Sequence, residues 1–286
     1  MRSVWLWLFI FFALLTGVLL VVRVLVKSQV LYTGNVLYVE IDGNIDDKKI
    51  PELTDWVYDK LKGDRLNRIK GVFVYINSPG GSAASSEAMY QVLKYAERRG
   101  KKVVAYIHSV GASGGYYIAS AADKIVANPA ALTASIGAII ILPEVTELSR
   151  KMGVSWDIYK SGKNKDLTQP FRKRTEEDSV LLTELAKEIW KVFLNRVAES
   201  RGKKPEDLLP IADGRVMTAV QALEWGLVDT LGTKYDAIEV LKKMAGIKKV
   251  RFIKRPKKTS ILKSIFGETS TLHEMVEDWL IPKAHF

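Results

Sequence analysis

From Val4 to Val22 the chain reads VWLWLFIFFALLTGVLLVV, nineteen residues without a charge. A helix that is apolar on every side has no face to offer water, so it must be buried in protein or in lipid. At about 1.5 Å rise per residue the run is roughly 28 Å long, which matches the hydrocarbon core of a bilayer. It is followed by Arg23-Val-Leu-Val-Lys27 rather than by the small-residue cleavage site that ends a secretory signal. The expectation is a retained transmembrane anchor over residues 4–26, with a short flank at 1–3 and a linker at 27–33. Arg2 and the amino terminus oppose Arg23 and Lys27 across the run, so charge counting leaves its orientation open.

The remaining chain has the makeup of a packed body. Of the 286 residues 48% are hydrophobic and 26% charged, with 20 Gly and 9 Pro, which excludes disorder and collagen-like repetition. There is no cysteine, so disulfides, thiolate nucleophiles and Cys-based metal sites are excluded. Only His108, His273 and His285 are available for histidine chemistry. The net charge of +11 is local: residues 240–267 hold ten Lys or Arg and no acid, and removing those ten from 43 leaves 33 bases against 32 acids. A basic C-terminal stretch on a nearly neutral body is not a nucleic-acid footprint, and no nucleic-acid partner is expected.

Residues 34–246 alternate β-branched runs with amphipathic or Ala-rich segments, the pattern of an α/β domain, and 247–286 form a basic extension. Strands are expected at 36–41, 71–76, 102–108, 124–127 and 137–142. Helices are expected at 52–61, 82–98, 115–122, 144–152, 176–200, 219–226 and 236–244. In the longest helix Leu181, Leu182, Leu185, Ile189, Val192, Phe193 and Val197 recur every three or four residues. That spacing predicts one buried face, against the core or, as second choice, a partner subunit.

Two glycine-rich turns each follow a strand and open a helix. In VFVYINSPGGS, Gly80-Gly81 allows backbone N–H groups to point outward, and at a helix start such donors favour negative charge. An ordinary tight βα loop has the same sequence signature. In AYIHSVGASGGYYIASAAD, Ser113 stands between glycines at a helix mouth, where a hydroxyl can attack a carbonyl whose oxygen nearby N–H groups stabilise. The alternative is a serine that only caps its helix.

A serine nucleophile needs a base. His108 lies inside a predicted strand, as a packed or hydrogen-bonded structural residue, and His273 and His285 lie beyond the basic stretch. A lysine held neutral remains. YKSGKNKDLTQPFRKR offers Lys160, Lys163 and Lys165 beside Arg172, Lys173 and Arg174, where neighbouring positive charge disfavours the ammonium form. A solvated basic loop is the competing reading.

Together INSPGG at 76–81, GASGGYYIAS at 111–120, TASIGAI at 133–139, YKSGKNKDLTQPFR at 159–172 and GRVMTAVQALEWGLVDTLG at 214–232 resemble the signal peptide peptidase A family of membrane-anchored serine proteases. That family lies within the Clp protease and crotonase superfamily, and the resemblance covers roughly residues 34–245. It implies a ββα superhelix and a Ser/Lys dyad, with Ser113 as nucleophile and Lys165 as general base. It further implies that the Ser135 hydroxyl orients the lysine, and that the N–H groups of Gly80 and Gly114 form the oxyanion hole. No metal or organic cofactor is implied. Substrates would be remnant signal peptides and other short or unfolded segments near the membrane. The catalytic body would be extracytoplasmic, in a homo-oligomeric ring, octameric in short forms with one copy of each turn. Lys163, two residues before Lys165, is the alternative base.

Three rivals stand beside this. Gly111-x-Ser113-x-Gly115 also fits the nucleophile elbow of an α/β-hydrolase, with Asp229 and His273 following in order. A crotonase-type acyl-CoA enzyme would share the fold without the serine, and a non-catalytic scaffold would need no site. At substrate level, a peptidase that cuts stomatin-like membrane proteins is the alternative.

Overall fold

The computed structural model describes residues 2–27 and 34–256, with side chains in the first helix described for Trp5 and 7–20. His273, His285 and the rest of the extension beyond 256 therefore lie outside the described residues. In chain order the elements are α1 (Arg2–Lys27), β1 (Val36–Asp42), α2 (Lys49–Gly63), β2 (Gly71–Ser78), α3 (Ala83–Arg98), β3 (Lys102–Ala112), α4 (Gly114–Ser120), β4 (Lys124–Ala127) and β5 (Leu132–Ala134). There follow α5 (Thr146–Lys151), α6 (Glu176–Arg201), α7 (Pro205–Leu208), β6 (Val216–Thr218), α8 (Ala219–Glu224), β7 (Thr230–Leu231), α9 (Lys234–Ala245) and β8 (Phe252–Lys254). The backbone of α1 is one helix, and among the described residues no helix is long and apolar enough to cross a membrane.

The body is a mixed α/β fold on a mainly parallel sheet ordered β6-β5-β3-β2-β1-β8, with β4 branching off β3 and β7 pairing with β4. Alternation along the strands sorts their side chains. Leu37, Val39 and Ile41, with Val72, Val74 and Ile76, pack with Val57 and Leu61 of α2 and Met89 and Leu93 of α3. Val36, Tyr38, Phe73, Val104 and Tyr106 face the other way, onto Ala237 and Leu241 of α9. Both faces are covered, which is why these strands read as continuous apolar runs.

Three expectations need correction. Residues 137–142 form no strand; β5 lies earlier, at Leu132–Ala134, and the apolar run after it stays unpaired, with Ile139 and Ile141 each 80% exposed. Apolar composition marked that segment for burial, but nothing within the described residues covers it. The stripe of α6 is buried only at Phe193 and Val197, while Leu185, Ile189 and Val192 are exposed. Spacing identifies a face but not its cover, and the first half of this helix is not covered by the body. Finally, β8 comes from the segment assigned to the basic extension and pairs in parallel with β1, so the folded unit runs to Lys254.

One charged pair lies deep in the fold. Lys101 Nζ meets Asp64 Oδ2 at 2.7 Å, with the two side chains 4% and 3% exposed, and also donates to Asn67 Oδ1 and the Ile69 carbonyl. The Asp64 carboxylate in turn accepts the N–H groups of Arg68 and Ile69. Removing one partner strands the other charge. Lys101→Ala is expected to lower unfolding free energy by about 3–5 kcal/mol, and Lys101→Met with Asp64→Leu by less. Equal losses for the two variants in denaturant titration would contradict this account.

Candidate active site

The site begins with strand pairing. β3 follows β2 in parallel from Gly71–Lys102 to Ile76–Ile107, and after a register irregularity Ser78 pairs with Gly111. The turns that leave the two strands, at 78–82 and 112–115, are thereby brought face to face.

Gly80 has φ +113° and Gly81 φ +147°, a region closed to side-chain-bearing residues. A Cβ on Gly81 would stand 2.2 Å from the Ile45 carbonyl oxygen. One on Gly80 would stand 2.7 Å from Ser113 Cβ and 3.0 Å from Ser113 Oγ and Gly114 N. Both glycines are therefore required by close approach. The turn is pinned through Ile45, whose N–H donates to the Gly80 carbonyl at 2.9 Å and whose carbonyl accepts the Ser82 N–H at 2.8 Å.

Ser113 sits at the N-cap of α4 with φ +51° and ψ −123°, and its side chain makes no capping hydrogen bond. The simple cap reading is thus excluded. Such a backbone costs of order 1–3 kcal/mol for a residue with a side chain and persists where the surroundings enforce it. Here the Ser113 N–H donates to the Ala134 carbonyl at 2.8 Å, and the Ser113 carbonyl accepts from Tyr117 N at 2.8 Å. Tyr117, one turn on, anchors α4: its hydroxyl donates to Glu87 Oε2 of α3 at 2.6 Å, and Arg196 of α6 holds Glu87 Oε1 at 2.8 Å. Burial pushes the Glu87 carboxyl up, but hydrogen bonds from Arg196, Tyr117 and Gln91 outweigh it and hold the group below its ordinary value.

β5 places Ser135 beside this turn through the pair Ala112–Ala134. Ala134 and Ser135 both have positive φ, +64° and +54°. The Ser135 N–H donates to the Arg215 carbonyl at 2.9 Å and its hydroxyl to the Gly214 carbonyl at 3.1 Å. The fold thus brings together Gly80, Ser113, Gly114 and Ser135. The Gly80 N–H, expected to face an oxyanion, donates to Ser78 Oγ at 3.2 Å. Ala134, Gly214 and the Glu87–Tyr117–Arg196 link are not foreseen from the sequence, because an alanine with positive φ or a long-range ion pair leaves no local signature.

The lysines lie on an arm of residues 143–175. Its base is closed by Val145 N donating to the Pro170 carbonyl at 2.9 Å and by Arg174 Nη2 donating to that of Pro143 at 3.1 Å. Within it Trp156 stacks on Phe171 at 3.8 Å. Arg172 bridges Asp166 and Asp178. Lys160 pairs with Asp166 at 2.8 Å and Lys163 with Glu177 at 2.5 Å. Lys165 is exposed, and among the described residues its amine has no carboxylate partner and no hydrogen bond to Ser113 or Ser135. His108 is exposed, and its ring packs against those of Tyr75 and Tyr106. Asp229, the acid of the α/β-hydrolase alternative, is committed to Arg201 at 2.9 Å, Lys124 at 3.0 Å and the Ile125 N–H at 2.8 Å.

Residues 95–248, more than half the chain, match the profile of peptidase family S49, and residues 37–136 match that of Clp protease. The chain belongs to peptidase family S49. A protease-named relative from Methanocaldococcus jannaschii is 35% identical over 189 residues, 66% of this chain and 60% of the relative. Protease 4 of Salmonella typhi is 33% identical over 196 residues, 68% of this chain and 31% of that one. The chloroplastic serine protease SPPA of Arabidopsis thaliana is 29% identical over 242 residues, 80% of this chain and 36% of that one. The chain thus spans between 31% and 60% of the length of these relatives.

Gly80→Ala is expected to reduce both hydrolysis and fluorophosphonate labelling of Ser113 by about a hundred-fold or more, since the new methyl occupies the space beside the hydroxyl. Labelling at the original rate would contradict the geometry.

The arm also carries a pH prediction. Lys160 holds the Asp166 carboxyl, and Arg172 the Asp178 carboxyl, below the ordinary value of 3.8. Depressed folded values mean that the stabilisation is complete above the ordinary value and is lost only as pH falls through the lowered ones. The fluorine NMR signal of a fluorotryptophan at Trp156 should hold steady from neutral pH to about 4 and shift below it. A transition centred above about pH 5 would be inconsistent.

Proposed function

We propose that this chain is a membrane-anchored serine endopeptidase that hydrolyses remnant signal peptides and other short or unfolded segments close to the membrane. The observation that carries the reading is the uncapped Ser113 hydroxyl, held at positive φ against a turn that tolerates only glycine. Family membership and the protease names of the relatives support it.

In this reading neutral Lys165 takes the Ser113 proton as Oγ attacks the peptide carbonyl, and returns it to the departing amine. Water activated by the same lysine then hydrolyses the acyl-enzyme. The N–H groups of Gly114 and Gly80 receive the developing oxyanion, the latter by exchanging its long contact to Ser78, and each would contribute about 3 kcal/mol in the transition state. Lys165 suits the role better than its neighbours, because the amines of Lys160 and Lys163 are already engaged by the carboxylates of Asp166 and Glu177. Ser135 would orient the amine after turning from the Gly214 carbonyl.

The homo-oligomeric ring follows from the family resemblance, and because Lys165 makes no hydrogen bond to Ser113 among the described residues, the arm of one copy could complete the site of the next. Exposed Ile139, Ile141, Leu148, Trp156, Leu185 and Ile189 provide apolar surface for that assembly. The uncharged run 4–22 and the unbroken backbone of α1 support the anchor. An extracytoplasmic body follows from the family resemblance.

Ser113→Ala and Lys165→Ala are each expected to abolish peptide hydrolysis, with Lys163→Ala remaining active. Mixing the two inactive variants before assembly should restore part of the activity, since some junctions then pair an intact serine with an intact lysine. Activity retained by Ser113→Ala would end the peptidase reading, and mixtures with none would end the shared-site arrangement.

A further inference from the structure

The basic segment is fastened to the point where the body begins. The Asn35 side chain donates to the Lys249 carbonyl at 2.9 Å and accepts the Arg251 N–H at 2.8 Å, while the Asn35 N–H donates to the Arg251 carbonyl at 2.8 Å. Next to it Val36 pairs with Phe252, and a Cβ on Gly34 would meet Ile253 Cγ1 at 2.3 Å. The Asn35 carbonyl accepts the Lys70 N–H at 2.8 Å. Lys70, Lys248, Lys249 and Arg251 therefore surround Asn35, at the end of the sheet where β1, β2, β3 and β8 all start.

These cations are not neutralised within the fold. Lys70, Lys243, Lys248, Lys249 and Arg251 are exposed, and among the described residues none has a carboxylate partner. Glu239, an acid on the neighbouring stretch of α9, is taken by Lys242 at 2.8 Å. Asp64, near this end, is buried against Lys101. A cluster of five unpaired cations at one end of a body whose remaining charge is nearly balanced needs an anionic surface opposite it.

Chain length says what that surface is. Gly34 lies seven residues after Lys27, the end of α1, so the two are at most about 25 Å apart. We propose that the end of the sheet bearing Lys70, Lys243, Lys248, Lys249 and Arg251 is a docking face for anionic phospholipid headgroups. This rests on the anchor reading above. Ser113 leaves the opposite end of β3, beyond the eight residues of β2 that run alongside it, so a docked face would hold the nucleophile at least one β2 length, about 26 Å, from the lipid. Substrates would then be segments that have emerged from the bilayer.

The test uses the full chain reconstituted into vesicles of phosphatidylcholine alone or with about 30% phosphatidylglycerol, and follows amine acylation residue by residue. Acylation of Lys248 and Lys249 should be several-fold slower in the anionic vesicles, recover at about 0.5 M salt, and be unchanged at Lys151 of α5. Lys248→Glu with Lys249→Glu should remove the lipid dependence at Lys70 and Lys243. Equal rates in both vesicles, for protein that floats with both, would overturn the docking face and leave the anchor standing. Protection that is equally strong in neutral lipid would also overturn it, since the cover would then be another protein surface. Failure to float with either vesicle would overturn the anchor reading and the docking face together.

Discussion

The structure depends on β3 being shared. Along one side it pairs with β2; along the other its first half pairs with β4 and its last residues with β5. A strand with one neighbour per side would end in an ordinary loop, but one whose second neighbour changes halfway must open a fork there. Ser113 emerges at that fork, between the glycine turn following β2 and the positive-φ pair following β5. The strained backbone of the serine is fixed from both sides, through close packing on Gly80 and through the Ala134 carbonyl. Positions as constrained as this are where a fold can store local strain for chemistry.

Charge is arranged with the same economy. Inside the body, cations and anions are matched: Lys101 with Asp64, Arg196 with Glu87, Arg201 with Asp229, Arg172 with Asp166 and Asp178. Each of these ties together elements far apart in the chain or closes the arm. Among the described residues, Lys165 on the arm and the cluster at the end of the sheet around Asn35 are exposed and have no carboxylate partner. A lysine without a carboxylate suits a base, and a cluster without carboxylates suits an anionic surface.

Much of this was legible beforehand for definite physical reasons. Strands β1 to β4 are covered on both faces, so they appear as dense β-branched runs, and the glycine turns stand out because only glycine adopts φ near +113° or +147° without strain. The strand register sets Gly80 against Ser113 and Gly114 and places Ser135 next to them, while Lys165 makes no hydrogen bond to Ser113 or Ser135 among the described residues. Two of the failures share one cause. Ile139, Ile141, Leu185 and Ile189 have the composition and spacing of buried positions, yet no described part of the same chain covers them. Apolar patterning reports that a face must be covered and is silent about which molecule covers it.

The sequence by itself determined strands β1 to β4, most of the helices, the two turns and their residue chemistry, because these follow from local sterics and from periodicities of two and near four. It also determined where the net charge lies. Only the tertiary structure decided which turns meet, that Ser113 is uncapped, that Lys160 and Lys163 are already paired, and that the basic stretch closes back on the start of the body. Those outcomes depend on strand order and on contacts between residues as far apart as Asn35 and Arg251. Such contacts are chosen by the packing of the whole sheet, and no short window of sequence contains them.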